Sequence, residues 1–436
     1  MEIPKQAKGL VFPFAEHAIF DPEKTAPMSN SRHVFSKSNL TCLRKAKSQS
    51  FCLFGYRVCA TRSTIAPLLF PVLLLYITGL IMIFDASSGE IMDIASGKSQ
   101  FSGVFRQLAY GFVAIIAAFA AYKIGWQRFF ENAPYLFAGI LFLLLLVFVP
   151  GIGICVNGSR RWIAISSFSL QPSEFLKIFI PAFFLYGCWI RPSLYTSIKE
   201  FLLFISILGL PVLLILVEPN NGTAGVIVLL LGLMVILCGI PARFWILPLF
   251  IALVGLGVFA ASSTYVRGRL SSYLNPEQDI KGKGHQPYQA KIAAGSGGVF
   301  GKGPAKSMQK LSYLPEAQND YIAAIFAEEF GFMGTTMLIG VYLWLFYEVW
   351  KIVSEVKEGV PFLWGLGILF LFSFQAFMNL GVVSGLLPST GLNLPFFSQG
   401  GSSLVANSLS IGLLLRMREN SGAGAVTRKL SEAKAL

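Results

Sequence analysis

The sequence predicts an all-α polytopic membrane protein of about ten transmembrane helices, with a long outer loop between the seventh and the eighth. Of the 436 residues, 54% are hydrophobic and only 13% are charged, whereas a soluble domain carries about 25% charged residues. The apolar residues also fall into runs of about 15–22, the length that a helix needs to cross a bilayer. Both observations argue against a large soluble core.

Ten apolar runs give the predicted order of elements. Several contain Gly or Pro, which bundled spans tolerate because neighbouring helices re-satisfy the backbone. The runs define a membrane domain at 65–417, after an N-terminal extension at 1–64 and before a tail at 418–436. The predicted spans are 67–84, 105–122, 135–149, 172–190, 201–217, 222–240, 244–262, 322–350, 362–383 and 403–415.

Lys and Arg residues set the orientation. With both termini in the cytoplasm, the inner segments hold 22 of the 35. Eight more lie in the outer segment at 263–321, where the rule is weak because the segment is long. The extension at 1–64 is polar and unpatterned, which is typical of disorder. It shows no signal peptide, and translation from Met28 stays an open alternative.

The net charge of +13 fits membrane topology and attraction to anionic lipid. A nucleic-acid partner is not expected, since the basic residues are dispersed. The six Cys residues show no metal-ligand spacing. Most of them lie in predicted cytoplasmic or intramembrane segments, so we expect no disulfide.

Charges within predicted spans mark function or a satisfied pair, because they are costly in lipid. Glu174 and Lys177 are three residues apart and share a helix face. They form either a structural ion pair or part of a polar cavity that holds a charged head group. Glu218, at the outer end of the fifth span, is structural or faces the same cavity.

The stretch NGSRRWIAISSFSL precedes this pair and mixes polar with aromatic and aliphatic residues. We expect it to lie in the membrane interface, with Trp162 at head-group depth. Arg160 and Arg161 either anchor the segment or bind phosphate oxygens through several donors.

The outer segment at 263–321 contains a glycine-rich turn, AGSGGVFGKG, with Lys302 near its end. It is either a flexible linker or a place where backbone N–H groups approach an anion. Asp279 lies in a turn between Pro276 and Gly282, close to Lys281 and Lys283. It is either an ordinary turn residue or a general base that the nearby lysines keep ionised.

The stretch GLLPSTGLNLPFFSQGGSSLVANSL, at 385–409, contains too much Gly and Pro for a smooth helix. We expect a turn at the outer face, with the last span starting at Ser402 or Ser403. The glycines before this helix N-terminus form either an anion site, with Ser402 as a contact, or a tight capped turn.

Six motifs occur in an order that resembles the SEDS (FtsW/RodA) family of polytopic peptidoglycan polymerases. They cover about residues 67–417. The stretch KSMQKLSYLPEA and the long N-terminal segment favour the division branch of that family over the elongation branch. The motifs are NGSRRWI with QPSEFLK, EPNNGTA, LNPEQD followed by YQ, GSGGVFGKG, YLPEAQNDYI with AEEFGFMG, and NLGVVSGLLPSTGLNLPFFSQGGSS.

The resemblance implies an inverting glycosyltransferase that polymerises lipid II, an undecaprenyl-pyrophosphate-linked disaccharide-pentapeptide, into β-1,4 glycan. The essential aspartate of the family falls at Asp279, which would accept the proton of the acceptor hydroxyl. Arg160, Arg161, Lys177 and Lys302 would neutralise the lipid pyrophosphate that leaves.

The implied partners are a class B penicillin-binding protein transpeptidase and other division proteins, at the division site of the bacterial inner membrane. A divalent cation such as Mg²⁺ is the one cofactor left open, because pyrophosphate chemistry benefits from it. No dedicated metal site is visible in the sequence.

The chain departs from the family pattern at several positions. Ile280 stands in place of Pro, and residues 285–287 come ahead of Tyr288, so we expect the loop behind Asp279 to be shaped differently. Gln318 and Asn319 replace His and Thr, and Gln399 replaces Tyr.

Three other functions remain open at this point. The chain could flip lipid II between leaflets, act as an elongation-type polymerase, or serve as a noncatalytic division scaffold. Flipping needs no base in an outer loop, so Asp279→Asn separates it from polymerisation.

Overall fold

The fold is described from a computed structural model, over residues 66–90, 101–156, 159–165, 168–262, 285–310, 318–356 and 359–433. The predicted N-terminal extension and Asp279 lie outside these residues. The apolar runs form helices because a backbone in lipid must satisfy its own polar groups.

Twelve α-helices and one short 3₁₀ turn, Pro192–Tyr195, occur in the described part of the chain. The helices are α1 (Ala66–Glu90), α2 (Phe101–Ile124), α3 (Trp126–Glu131), α4 (Ala133–Leu146), α5 (Pro172–Ile190), α6 (Ile198–Val217), α7 (Asn221–Leu237), α8 (Ala242–Ser262), α9 (His285–Ser296), α10 (Ile322–Val356), α11 (Val360–Val383) and α12 (Gly401–Ala433).

The prediction of a helical, multi-pass membrane fold is confirmed. Six described helices are long and apolar enough to span a bilayer: α1, α2, α5, α6, α10 and α11. Each of the other predicted spans also falls on a helix, but α4 has only 14 residues and α7 only 17. The count of ten spans therefore stays a prediction. Helix α12 continues across the predicted domain end at 417.

Two outer connections have more regular structure than the sequence indicated. The stretch expected to lie in the interface forms an antiparallel sheet of β1 (Gly153–Val156), β2 (Ser159–Ile165) and β3 (Phe168–Leu170), with Ile163 opposite Leu170. Polar residues in this stretch alternate with aromatic or aliphatic ones, and side chains on a strand point alternately to its two faces, with a period of two residues. In the long outer segment, residues 285–287 form the first turn of α9.

A hydroxyl network joins the sheet to helices α2 and α12. The Tyr110 hydroxyl accepts the Ser169 N–H at 2.7 Å and donates to the Ser169 carbonyl at 3.0 Å. The Ser402 hydroxyl accepts the Gln171 N–H and donates to the same Ser169 carbonyl. Gly401 lies under the Tyr110 ring, where a Cβ would collide with it. The first turns of α5 and α12 are therefore fixed next to each other.

Candidate active site

Strand β2 carries Arg161 to the turn between α6 and α7. The Arg161 guanidinium donates to the carbonyls of Glu218, at 3.1 Å, and of Pro219. Arg160 is exposed, and the pairing of β1 with β2 shifts register between Arg160 and Trp162, which leaves Arg161 as an extra residue on β2. The two arginines that the sequence paired therefore have different surroundings.

Glu218 lies directly after the span that ends at Val217 and is only 1% exposed. Neither of its carboxylate oxygens has a hydrogen-bond partner among the described residues. Burial raises the pKa of Glu218 to about 8, although the charge of Arg161 acts in the opposite direction. A buried carboxyl without donors favours its neutral form, because only the charged form needs the lost solvation.

Glu174 and Lys177 form a buried ion pair in the first turns of α5. The Lys177 ammonium lies 2.8 Å from Glu174 Oε1, and both residues are buried. Glu174 Oε2 has no hydrogen-bond partner in the described structure. The pair thus satisfies one carboxylate oxygen and leaves the other as an acceptor.

The glycine-rich turn begins a segment that we call the strap, residues 297–310. It packs into a break in α10, where Gly331 has φ 64° and ψ −161°. The broken helix donates its N–H groups at positions 332 and 333 to the strap carbonyls at 298 and 299. In return, the strap N–H groups of Lys302 and Gly303 bond the carbonyls of Glu328 and Glu329, both at 3.0 Å.

The glycines of the strap serve this close packing. A Cβ on Gly301 would collide with the Glu329 carbonyl, and one on Gly297 would collide with the Ala327 carbonyl. The N–H of Gly301 is itself bonded to the Gly297 carbonyl. The backbone donors at 301–303 are therefore already used within the protein, and the Lys302 side chain is the group that a ligand can reach here.

Glu328 is the buried partner of Lys302. Its side chain has no exposed surface, and Oε1 lies 2.6 Å from the Lys302 ammonium, which is 34% exposed. Four further donors fix this carboxylate: the hydroxyls of Ser296 and Ser307 and the N–H groups at 308 and 309. The carboxylate is thus held in one place, while part of the ammonium faces outward.

Glu329 takes part in a separate cluster, in which Glu329 and Lys310 are buried and Asp85 is partly buried. Lys310, 4% exposed, lies 3.0 Å from Glu329 Oε1 and 2.7 Å from Asp85 Oδ1 on α1. This cluster ties the end of the strap to two helices. The lysine partners of the two glutamates lie 26 and 19 residues away in the chain, so no local sequence pattern indicates them.

The structure places the other predicted site residues as follows. The Ser402 hydroxyl is used in the network with Gln171 and Ser169, so its described contacts are structural. Asp279 lies outside the described residues. Within the described ranges, no group of three or more His, Cys, Asp or Glu side chains is placed to hold a metal ion.

Comparison with known proteins extends over most of the chain. Residues 66–422 match the model of a family described as cell cycle proteins, FtsW/RodA/SpoVE. The chain is 36% identical over 353 residues to stage V sporulation protein E of Bacillus subtilis, covering 79% of this chain and 94% of that protein. It is 38% identical over 351 residues to a probable peptidoglycan glycosyltransferase FtsW of Thioalkalivibrio sulfidiphilus, covering 78% and 85%.

Solved structures give the same relationship. A chain of a peptidoglycan synthase complex, in which polymerization and crosslinking are coordinated, superposes with a TM-score of 0.67 at 26% identity, covering 81% of this chain and 97% of that one. The rod shape determining protein RodA of Thermus thermophilus superposes with a TM-score of 0.59 at 25% identity, covering 81% and 96%.

Proposed function

The chain belongs to the FtsW/RodA/SpoVE family of cell cycle proteins, and we propose that this peptidoglycan glycosyltransferase polymerises lipid II at the outer face of the bacterial inner membrane. The proposed product is β-1,4-linked glycan for the septal wall in cell division. Both termini are cytoplasmic in this proposal, because the inner segments hold most of the Lys and Arg residues.

The observation that carries the proposal is the position of the cations at one end of the bundle. Arg161 lies at the turn after α6, Lys177 in the first turns of α5, and Lys302 beside the first turns of α10. In the proposed ten-span topology successive spans run in opposite directions, which puts these helix ends on the same side. Lipid pyrophosphate is the anion of lipid II, and positive groups at the site of departure stabilise its developing charge.

In the proposed reaction the acceptor sugar's 4-hydroxyl oxygen attacks the anomeric carbon of the donor. The C–O bond to the lipid pyrophosphate breaks, and the hydroxyl proton passes to Asp279, which acts as general base. Arg160, Arg161, Lys177 and Lys302 bind the leaving pyrophosphate. Direct displacement inverts an α-linked donor into a β-linked product.

A class B penicillin-binding protein transpeptidase is the proposed partner. Support comes from the related chain in a peptidoglycan synthase complex that coordinates polymerization with crosslinking. The partner would crosslink the glycan that this chain makes.

Lipid II flipping is a second candidate, and one observation favours it. Glu174 and Lys177 are buried within the bundle, and Glu174 Oε2 has no described partner. A polar group of a passing head group could take that position, because buried polar groups in a membrane are expensive unless they are paired.

Glycan formation from purified lipid II tests the two candidates. The protein is co-purified with its transpeptidase, crosslinking is blocked with a β-lactam, and wild type is compared with Asp279→Asn. Polymer from wild type alone supports polymerisation with Asp279 as base, whereas equal polymer from both removes Asp279 from the mechanism. If neither makes polymer, lipid II movement in liposomes becomes the deciding measurement.

A further inference from the structure

The ion pair between Lys302 and Glu328 is unequal in exposure. Glu328 is fully enclosed, while 34% of the Lys302 side chain is exposed. An ammonium has three N–H donors. Among the described contacts, the Lys302 ammonium donates one hydrogen bond, to Glu328 Oε1. Lys302 therefore keeps donors that point away from its buried partner.

Glu328 is also held more firmly than an ordinary surface carboxylate. The hydroxyls of Ser296 and Ser307 and two backbone N–H groups of the strap all donate to it. The backbone next to it is fixed as well, because the Lys302 N–H bonds the Glu328 carbonyl at 3.0 Å. A lysine side chain has four rotatable bonds and loses much freedom when it must reach one point. Contacts at both its backbone and its ammonium remove that freedom during folding.

The neighbouring pair shows what a purely structural arrangement looks like. Lys310 is 4% exposed, and it is enclosed between Glu329 and Asp85. No donor of Lys310 faces the outside to a comparable degree. Two adjacent glutamates on one helix thus hold two lysines of the same strap, one inside the protein and one at its surface.

We infer that Glu328 is a positioning residue that holds the Lys302 ammonium ready for a phosphate oxygen of the departing lipid pyrophosphate. The inference rests on the proposed polymerase function and gives Lys302 a defined role in it. Glu328 does not touch the substrate. It acts through Lys302, by fixing the ammonium before the negative charge develops.

The test is a double-mutant cycle on lipid II polymerisation by the transpeptidase complex. Glu328→Gln and Lys302→Met are each expected to lower kcat about tenfold, with KM changed less than about twofold. The double variant is expected to be no slower than Lys302→Met alone, since Glu328 then has no lysine to position. Glu329→Gln is the matched control, and its kcat per folded molecule should match wild type.

Two results would overturn the inference. If the two losses multiply in the double variant, Glu328 acts independently of Lys302. If Lys302→Met leaves kcat unchanged while Asp279→Asn abolishes polymer, the polymerase proposal stands and the role of Lys302 fails. If wild type itself makes no polymer from lipid II, the proposed function fails, and the role of Lys302 fails with it.

A second variant covers the case in which Glu328→Gln does not fold. Ser307→Ala removes one donor to the Glu328 carboxylate and leaves both charges in place. If Glu328 positions Lys302, Ser307→Ala should lower kcat several-fold. The same substitution should not lower kcat further in a protein that already carries Lys302→Met. An unchanged kcat for Ser307→Ala, or the same loss with Met at 302, contradicts the inference.

Discussion

Replacing Glu218 by Gln should remove a pH dependence from the stability of the folded protein. The pKa of the Glu218 carboxyl rises from an ordinary value of 4.5 to about 8, chiefly because of burial. Below pH 4.5 the folded and unfolded states both hold the proton. Between pH 4.5 and 8 only the folded state keeps it, so ionisation stabilises the unfolded state and the free energy of unfolding falls.

The size of this effect follows from the two pKa values. One pKa unit corresponds to about 1.4 kcal/mol, so the loss from pH 4.5 to pH 8 is roughly 5 kcal/mol as an upper value. Above pH 8 both states are ionised and the loss stays constant. Gln has nearly the same shape and no proton to release, so Glu218→Gln should gain stability relative to wild type as the pH rises.

Thermal unfolding of the purified protein in detergent, at intervals between pH 5 and 9, measures this difference. The unfolding temperature of Glu218→Gln should exceed that of wild type by an amount that grows towards pH 8. The control is Glu200→Gln at the opposite end of α6, where the carboxylate is exposed and accepts the Ser193 hydroxyl. Parallel curves for Glu218→Gln and wild type across the range would refute the idea that Glu218 is buried and neutral.

Two further predictions concern the strap. Lys310→Met should destabilise the fold by about 3–5 kcal/mol, because it removes the cation that pairs with the buried Glu329 and the partly buried Asp85. Adding Glu329→Gln should recover part of the loss in thermal unfolding, and no recovery would argue against the ion cluster. Gly331→Ala should make the strap more sensitive to limited proteolysis, because Gly331 has a φ of 64° and the strap backbone leaves no room for a Cβ there. Gly340→Ala is the control and should behave like wild type, because a Cβ at position 340 would meet open space.

The sequence predicted the spans well because their signal is local. Each apolar run is continuous, and a helix in lipid bonds only to itself. The outer connections were harder to predict. Strand β2 is seven residues long and has the same polar and aromatic mixture as an interfacial segment. The break at Gly331 depends on glycines some thirty residues earlier in the chain, and no local pattern around AEEFGFMG indicates it.

For the candidate site, the sequence indicated which charged residues take part but not which groups contact them. Arg161, Lys177 and Lys302 were each identified as cations, but the groups that hold them are visible only in three dimensions. Those groups are backbone carbonyls for Arg161, Glu174 for Lys177 and Glu328 for Lys302.

Under the proposed function, these partnerships change how the basic residues would contribute to anion binding. A cation paired with a buried carboxylate adds little net charge, so it attracts a distant anion weakly, but it is already in place when the anion arrives. An exposed cation with no described ion-pair partner, such as Arg160 or Lys306, attracts from further away and is screened by salt. Removing a held cation should therefore act on kcat or on stability. Removing an exposed one should raise KM, and the rise should be larger at low ionic strength. Measuring KM at two salt concentrations for Arg160→Gln and Lys302→Met therefore distinguishes the two classes.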